Sequence, residues 1–163
     1  MGLPHLPDSS LLYRDIARLT DDAALDALRC ISRVPVRRVV GKQVILDIDS
    51  TVETVYGQLE GAATGYNPTR HGRASFHTLT FFDGITRAAI RVELRPGNTV
   101  AATGLIEAFR RACAEVQRLG ATIIAVRADR GFQSNDFFSL LAQLQIDYVI
   151  KISVNETLSA WSA

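Results

Sequence analysis

The chain has 163 residues, 47% of them hydrophobic and 21% charged, with a formal net charge of +1. This composition suits a folded globular chain and excludes a low-complexity or collagen-like one, and no apolar run approaches the ~18 residues of a membrane span. A charge so close to zero points to no particular partner. The two cysteines, Cys30 and Cys113, are far apart, exclude a disulfide framework and read as buried free thiols in a reducing compartment.

The opening MGLPHLPDSS lacks the basic and apolar regions of a signal peptide. Residues 9–33 are predicted to form two short helices, with Thr20 or Asp21 as a cap and Leu25, Leu28 and Ile31 as an apolar stripe. Pro35 and Gly41 break that pattern. KQVILDIDSTVE then predicts a first strand over about 43–50. Strand side chains alternate, so Val44, Leu46 and Ile48 share one side and Asp47 and Asp49 the other. A strand this apolar is expected to be central, where charges rarely lack a purpose. A cap or turn role at the strand end is the plainer alternative.

Residues 52–73 show poor periodicity and four glycines. They read as a long loop, and loops of that length in compact domains are often functional. Arg70, His71 and Arg73 lie here, with no acid between 61 and 75. The bases of the chain are almost all arginine, which suits bidentate phosphate recognition. ASFHTLTFF, Asp83-Gly84 and ITRAAIRVEL predict a hairpin with a two-residue turn. In its second arm Ala88, Ile90, Val92 and Leu94 are expected to face the core, and Arg87, Arg91, Glu93 and Arg95 to face water. A helix over about 100–119 carries Leu105, Phe109, Ala112, Val116 and Leu119 on one stripe and stops at Gly120. TIIAV, 122–126, predicts a buried parallel strand ending in RADRGF. A helix over about 134–144, capped by Ser134, and a last strand DYVIKI complete the order.

Three strands in a meander followed by two right-handed crossovers give a mixed α/β sheet. Placing the two most apolar strands at the centre and the arginine-bearing one at the edge yields the order 3-2-1-4-5, with helices on the faces. Ligands of such sheets bind beyond the carboxyl ends of strands where the connection direction reverses. That point lies between strands 1 and 4, where Asp49 ends one strand and Asp129 follows the other. Two carboxylates roughly 5 Å apart repel by about 3 kcal/mol at an effective dielectric of about 20. Such a pair raises one pKa or recruits a cation. No lysine lies in LDIDSTV or VRADRGF, only Arg127 and Arg130. A hard divalent ion with oxygen ligands, Mg²⁺ or Mn²⁺, is therefore the expected occupant. For Asp129 alone, a turn aspartate is the alternative.

Several motifs in order, LDIDST, YGQLEGAATGYNPTRHGRASFHTL, AAIRVELRPGNTVAA, IIAVRADRGF and LQIDYVIKI, resemble the catalytic domain of insertion-sequence DDE transposases over about residues 40–153. The resemblance implies an RNase H-like fold over 41–163 behind an N-terminal helical segment, 1–40. It implies Asp49 and Asp129 as the first and second catalytic carboxylates and metal ligands, with Asp47 in reserve. Tyr66, Asn67, Arg70 and Arg73 would face the DNA backbone, joined by Arg130. The implied chemistry is metal-dependent DNA strand cleavage and strand transfer. The partners would be DNA (transposon ends and target) and a possible second copy of the chain, in the cytoplasm of a bacterium at the nucleoid. That family's third acid, a glutamate, lies on a helix beyond the last strand. Here Glu156 is the only acid after that strand and stands too close to it for the role. The expectation is a fragment with weak metal binding and little or no cleavage, its last strand lacking a covering helix.

Two other readings compete. ILDIDSTV also fits the D-x-D-x-T pattern of haloacid-dehalogenase-like phosphatases, with Asp47 as nucleophile, Asp49 as acid/base and Mg²⁺ on both. That fold requires a parallel sheet and a later acidic cluster, whereas the hairpin argues for antiparallel pairing and RADRGF supplies one acid. The other is a non-catalytic remnant that binds DNA or oligomerises. His71 and His77, without acids or cysteines at ligand spacing, read as surface and strand residues.

Overall fold

A computed structural model describes residues 22–152 and, ahead of them, 8, 10, 11, 14, 15 and 18. The chain divides into two compact units, Met1–Arg38 and Val39–Ala163. Helix α1, Asp22–Val39, belongs to the first as far as Arg38 and runs on through Pro35 rather than ending before it. Arg37 and Arg38 occupy its last turn, where the helix dipole favours cations. Leu25, Leu28 and Ile31 are exposed, so the predicted stripe is not core, and Cys30, expected to be buried, is exposed as well. The suggested caps Thr20 and Asp21 lie outside the described residues. No helix among the described residues is long and apolar enough to cross a membrane.

The second unit is built on one sheet. Its strands are β1 (Gln43–Thr54), β2 (Ala63–Thr64), β3 (Ala74–Asp83), β4 (Ala89–Glu93), β5 (Thr122–Ala128) and β6 (Asp147–Ile150). The order is β2-β3-β1-β5-β6, with β4 also paired to β3. β3 runs antiparallel to both β1 and β4, whereas β5 is parallel to β1 and β6 to β5. This is the RNase H-like order expected from the sequence. The short β2 is an addition: it takes the first part of the outer edge of β3, and β4 takes the rest. β1 outruns its expected end because Thr51, Val52 and Thr54 keep pairing with β3 as far as Thr54↔Ser75.

Helix α2, Leu105–Arg118, buries Leu105, Phe109, Ala112 and Val116 as its stripe predicts. Helix α3, Asn135–Gln143, buries Phe137, Leu140 and Leu141. Phe109 meets Phe137 edge to face, ring centroids 5.2 Å apart. Both helices therefore cover one face of the sheet, that of the fully buried Val44, Leu46, Leu79, Phe81 and Val126. Each such side chain contributes about 1.5–3 kcal/mol on burial. Helices on both faces were expected. Two right-handed crossovers moving the same way across a sheet put their helices on one side instead. Among the described residues the opposite face stays open: Val149 is 72% exposed. TIIAV is accordingly covered on one side only, and Ile124 sits where the pairing of β5 with β1 slips.

The β3–β4 connection departs from a two-residue turn. Asp83 is fully buried, and its carboxyl accepts from the Ile85 and Thr86 backbone N–H groups and from Thr86 Oγ1. It thus organises a loop that extends to Ala88, with Arg87 at a φ of 63°. The register then slips between Phe81 and Phe82, so that Phe81 faces Arg91 and Phe82 faces Ala89. One extra residue reverses the alternation. Ile90 is buried as expected, but Val92 and Leu94 are exposed. Arg91 and Glu93 turn to the helix side, where Glu93 accepts from Arg91 at 2.6 Å and from Arg111 of α2 at 2.8 Å through both oxygens.

Two outcomes follow for stability. Asp83→Ala leaves three part-buried donors without their acceptor and is expected to destabilise the unit by about 1–2 kcal/mol in urea titrations, with Thr86→Val costing less. Burial pushes the Glu93 carboxyl up, but the hydrogen bonds from Arg111 and Arg91 outweigh it and hold its pKa below the usual value of 4.5. A lowered carboxylate stabilises fully above its unfolded pKa and loses that contribution as pH falls through the folded one. The urea midpoint should therefore drop on acidification below about pH 4.5, and less steeply in Glu93→Gln.

Candidate functional site

The register of β1 with β5 assembles the site. Asp47 pairs with Arg127 and Ile48 with Ala128 across these parallel strands. Asp49 and Asp129 are the next residue on each, and adjacent strands lie about 4.8 Å apart. Asp129 keeps an extended backbone, φ −80° and ψ 169°. Alternation therefore carries through it and places both carboxylates on the open face with Asp47 and Arg127. Asp129 Oδ1 accepts from the Arg130 N–H at 2.6 Å and caps the 3₁₀ turn Arg130–Phe132. Asp49 Oδ1 accepts from the Ser50 N–H at 2.7 Å. Both residues are exposed. Each uses one oxygen on the next backbone N–H, and among the described residues no cation pairs with either.

Asp47 is placed differently. Arg127 grips it with two parallel hydrogen bonds, Nε and Nη2 each 2.6 Å from a carboxylate oxygen. The bond to Asp47 and its charge raise the Arg127 pKa further. Gly84 makes room for this pair: a Cβ there would stand 2.5 Å from Arg127 Nη2 and 2.9 Å from both Asp47 oxygens. The glycine of the Asp-Gly pair thus serves the ion pair rather than a tight turn. Asp47 is neutralised, and the uncompensated negative charge at the strand ends rests on Asp49 and Asp129. A phosphatase nucleophile at Asp47 would need a free oxygen and a parallel sheet around it. Asp47 has both oxygens occupied, and β1 is antiparallel to β3.

Among the described residues no group of three His, Cys, Asp or Glu side chains is arranged to hold a metal ion, and Glu156 lies outside them. His71 is exposed, and His77 directs Nδ1 to the Thr99 carbonyl oxygen. Burial pushes the half-buried Cys113 thiol up to about 11, so it is protonated near neutral pH.

The loop after β2 presents Tyr66, Arg70 and Arg73 to solvent, and Arg130 is exposed beside Asp129. Arg73 lies over the Tyr56 ring, its guanidinium carbon 6.0 Å from the centroid. Asn67, expected to face outward, is instead 1% exposed. Its Nδ2 donates to Thr54 Oγ1 at 2.9 Å, and its Oδ1 accepts from the Thr69 and Arg70 N–H groups at 3.2 and 2.9 Å. It ties the loop to the end of β1. Gly65 allows a second fastening: a Cβ there would overlap the Gly97 carbonyl oxygen at 2.2 Å, so this loop and the RPGN turn meet backbone to backbone. Between them and β1 lies a groove of ≈ 680 Å³. Neither the groove nor the Asp47–Arg127 pair was legible beforehand, although Gly65, Gly84 and Gly97 each mark a close approach.

Several solved structures are similar to the chain. The HTLV-2 integrase catalytic core domain in complex with magnesium shares 15% identity at a TM-score of 0.43, over 73% of this chain and 63% of that one. The piggyBac transposase synaptic complex with hairpin DNA shares 18% at 0.47, over 84% and 32%. The Mos1 transposase paired-end complex shares 15% at 0.47, over 91% and 44%. The chain thus spans less than two thirds of each. No curated protein matches it in sequence. Residues 16–163 match the family model described as transposase DDE domain group 1, and the chain belongs to that family.

Proposed function

We propose that Asp49 and Asp129 hold a divalent ion, Mg²⁺ or Mn²⁺, and that the unit Val39–Ala163 is a transposase catalytic domain acting on DNA phosphodiesters. What supports this reading is the β1–β5 register: Ile48 pairs with Ala128, Asp49 and Asp129 are the next residues on the two strands, and Arg127 closes off Asp47. The donor set fits the ion. Each aspartate keeps one oxygen free and exposed, and Mg²⁺ is commonly held by one or two carboxylates with water and phosphate oxygens completing the shell. Once bound, the ion would activate the attacking oxygen and stabilise the leaving one.

The remaining residues position the DNA. Arg130 offers a guanidinium group beside Asp129, and Arg70 and Arg73, on the loop tied to the far end of β1, would meet phosphate oxygens farther along the duplex; such contacts fix register without reading sequence. Asn67 acts behind them, holding the loop in the conformation that presents Arg70. A site of two carboxylates holds an ion weakly unless a further ligand joins it.

Calorimetric or spin-resonance titration with Mn²⁺ tests the centre. Weak binding is expected, reduced by roughly tenfold or more in Asp49→Ala and in Asp129→Ala and retained in the double variant Asp47→Ala/Arg127→Ala. Binding indifferent to both single substitutions would overturn the assignment. On supercoiled DNA with Mg²⁺ or Mn²⁺, any nicking should vanish in Asp49→Ala, and nicking that survives there belongs to a contaminant or another site.

A further inference from the structure

We infer that the outer edge of β6 is a self-pairing surface, on which a second copy of the chain adds its own β6 antiparallel, Val149 against Val149. The inference does not depend on the reading of the carboxylate pair. Edge strands of folded sheets are normally guarded by shortness, bulges, prolines or inward charges. The other side of this sheet is guarded in that way: β2 has two residues and β4 carries a bulge. The edge at β6 lacks such a guard. β6 pairs with β5 without a register shift, the stretch from Asp147 to Ile152 contains no proline, and no strand of the described residues pairs with its far side. Val149, Ile152 and Tyr148 are exposed there, at 72%, 48% and 45%.

The register follows from the backbone and the charges. The Lys151 N–H donates to the Ala128 carbonyl oxygen of β5 at 3.1 Å. Alternation therefore turns the N–H and C=O groups of Asp147, Val149 and Lys151 toward β5, and those of Tyr148 and Ile150 outward. An antiparallel partner must exchange hydrogen bonds through these outward groups. Tyr148 can then face itself, Ile150 can face itself, or Tyr148 can face Ile150. The first register sets Asp147 against Val149 and the second sets Lys151 against Val149. Only the last sets Asp147 opposite Lys151, once on each side of the two-fold axis. It also places the two Val149 side chains, on the same face as Arg127, directly opposite each other as a non-hydrogen-bonded pair, where side chains stand closest. On the helix side Tyr148 meets Ile150, its ring already held by stacking on Phe138 of α3, centroids 5.4 Å apart. The axis stands perpendicular to the sheet, so the helices of both copies lie on one side of the joined sheet and both open faces on the other. Few hydrogen bonds join the edges, and the dimer is accordingly weak, at the low end of specific interfaces.

Sedimentation equilibrium of the full chain, without metal or DNA, tests the edge. The wild-type chain should show a concentration-dependent equilibrium between monomer and dimer. Asp147→Lys and Lys151→Asp each set like charges opposite one another and should weaken the dimer by about tenfold or more. The double variant Asp147→Lys/Lys151→Asp restores opposite charges and should dimerise as the wild type does. Both residues are exposed, so neither exchange disturbs the core. Oxidation of Val149→Cys, in a chain carrying Cys30→Ser and Cys113→Ser, should yield a disulfide-linked dimer, and Asp147→Cys in the same background far less of one. A monomer at every concentration up to about 1 mM would overturn the inference. So would a dimer that neither single exchange weakens and that Val149→Cys does not link.

Discussion

The pairing of β1 with β5 in parallel, residue for residue from Ile45 to Ile48, is the constraint on which the site depends. Parallel strands put equivalent residues side by side, and their alternation sends every second side chain to the same face. A slip of one residue would turn Asp129 toward the helices and leave Asp49 alone. The buried side makes that slip costly, because Val126 would leave the core and Arg127 would turn into it. Core packing on one face thus holds the spacing of charges on the other.

The open face keeps charge where it can act. Three carboxylates and one guanidinium stand on it within a few residues of one another. Arg127 selects Asp47, its direct register partner, through a bidentate pair that Gly84 alone leaves room for. Had Arg127 reached forward to Asp49 instead, the strand ends would carry one free acid and not two. The pair also ties β1 to β5 immediately before Asp49 and Asp129. Its surroundings are exposed, so its value lies in geometry and charge placement more than in stability.

Much of this was legible in the residues themselves. The strand order, the antiparallel first three strands and the stripe of α2 follow from alternation, apolar content and the handedness of crossovers. What was not legible has local causes. A single bulge at Ile90 reversed the second half of β4, so Val92 and Leu94 lost the core places that their pattern promised, and Glu93 became a helix-side ion-pair partner. Asp83-Gly84 matched a tight turn by composition, yet Asp83 binds the loop internally and Gly84 clears space for a contact 80 residues apart in sequence. Asn67 looked like a surface polar residue because its partner Thr54 lies across the loop. Contacts that join distant segments leave only a glycine or a lone polar side chain as their trace.

The adjacency of the two aspartates can be measured directly. In a chain carrying Asp49→Cys and Asp129→Cys, with Cys30→Ser and Cys113→Ser to silence the native thiols, Cd²⁺ reports thiolate pairing by its ultraviolet charge-transfer band. The expected result is one ion per chain bridged by both thiolates, with an affinity far above that of either single-cysteine variant. Two independent weak sites, no tighter together than apart, would contradict the placement of residues 49 and 129 at neighbouring strand ends on one face.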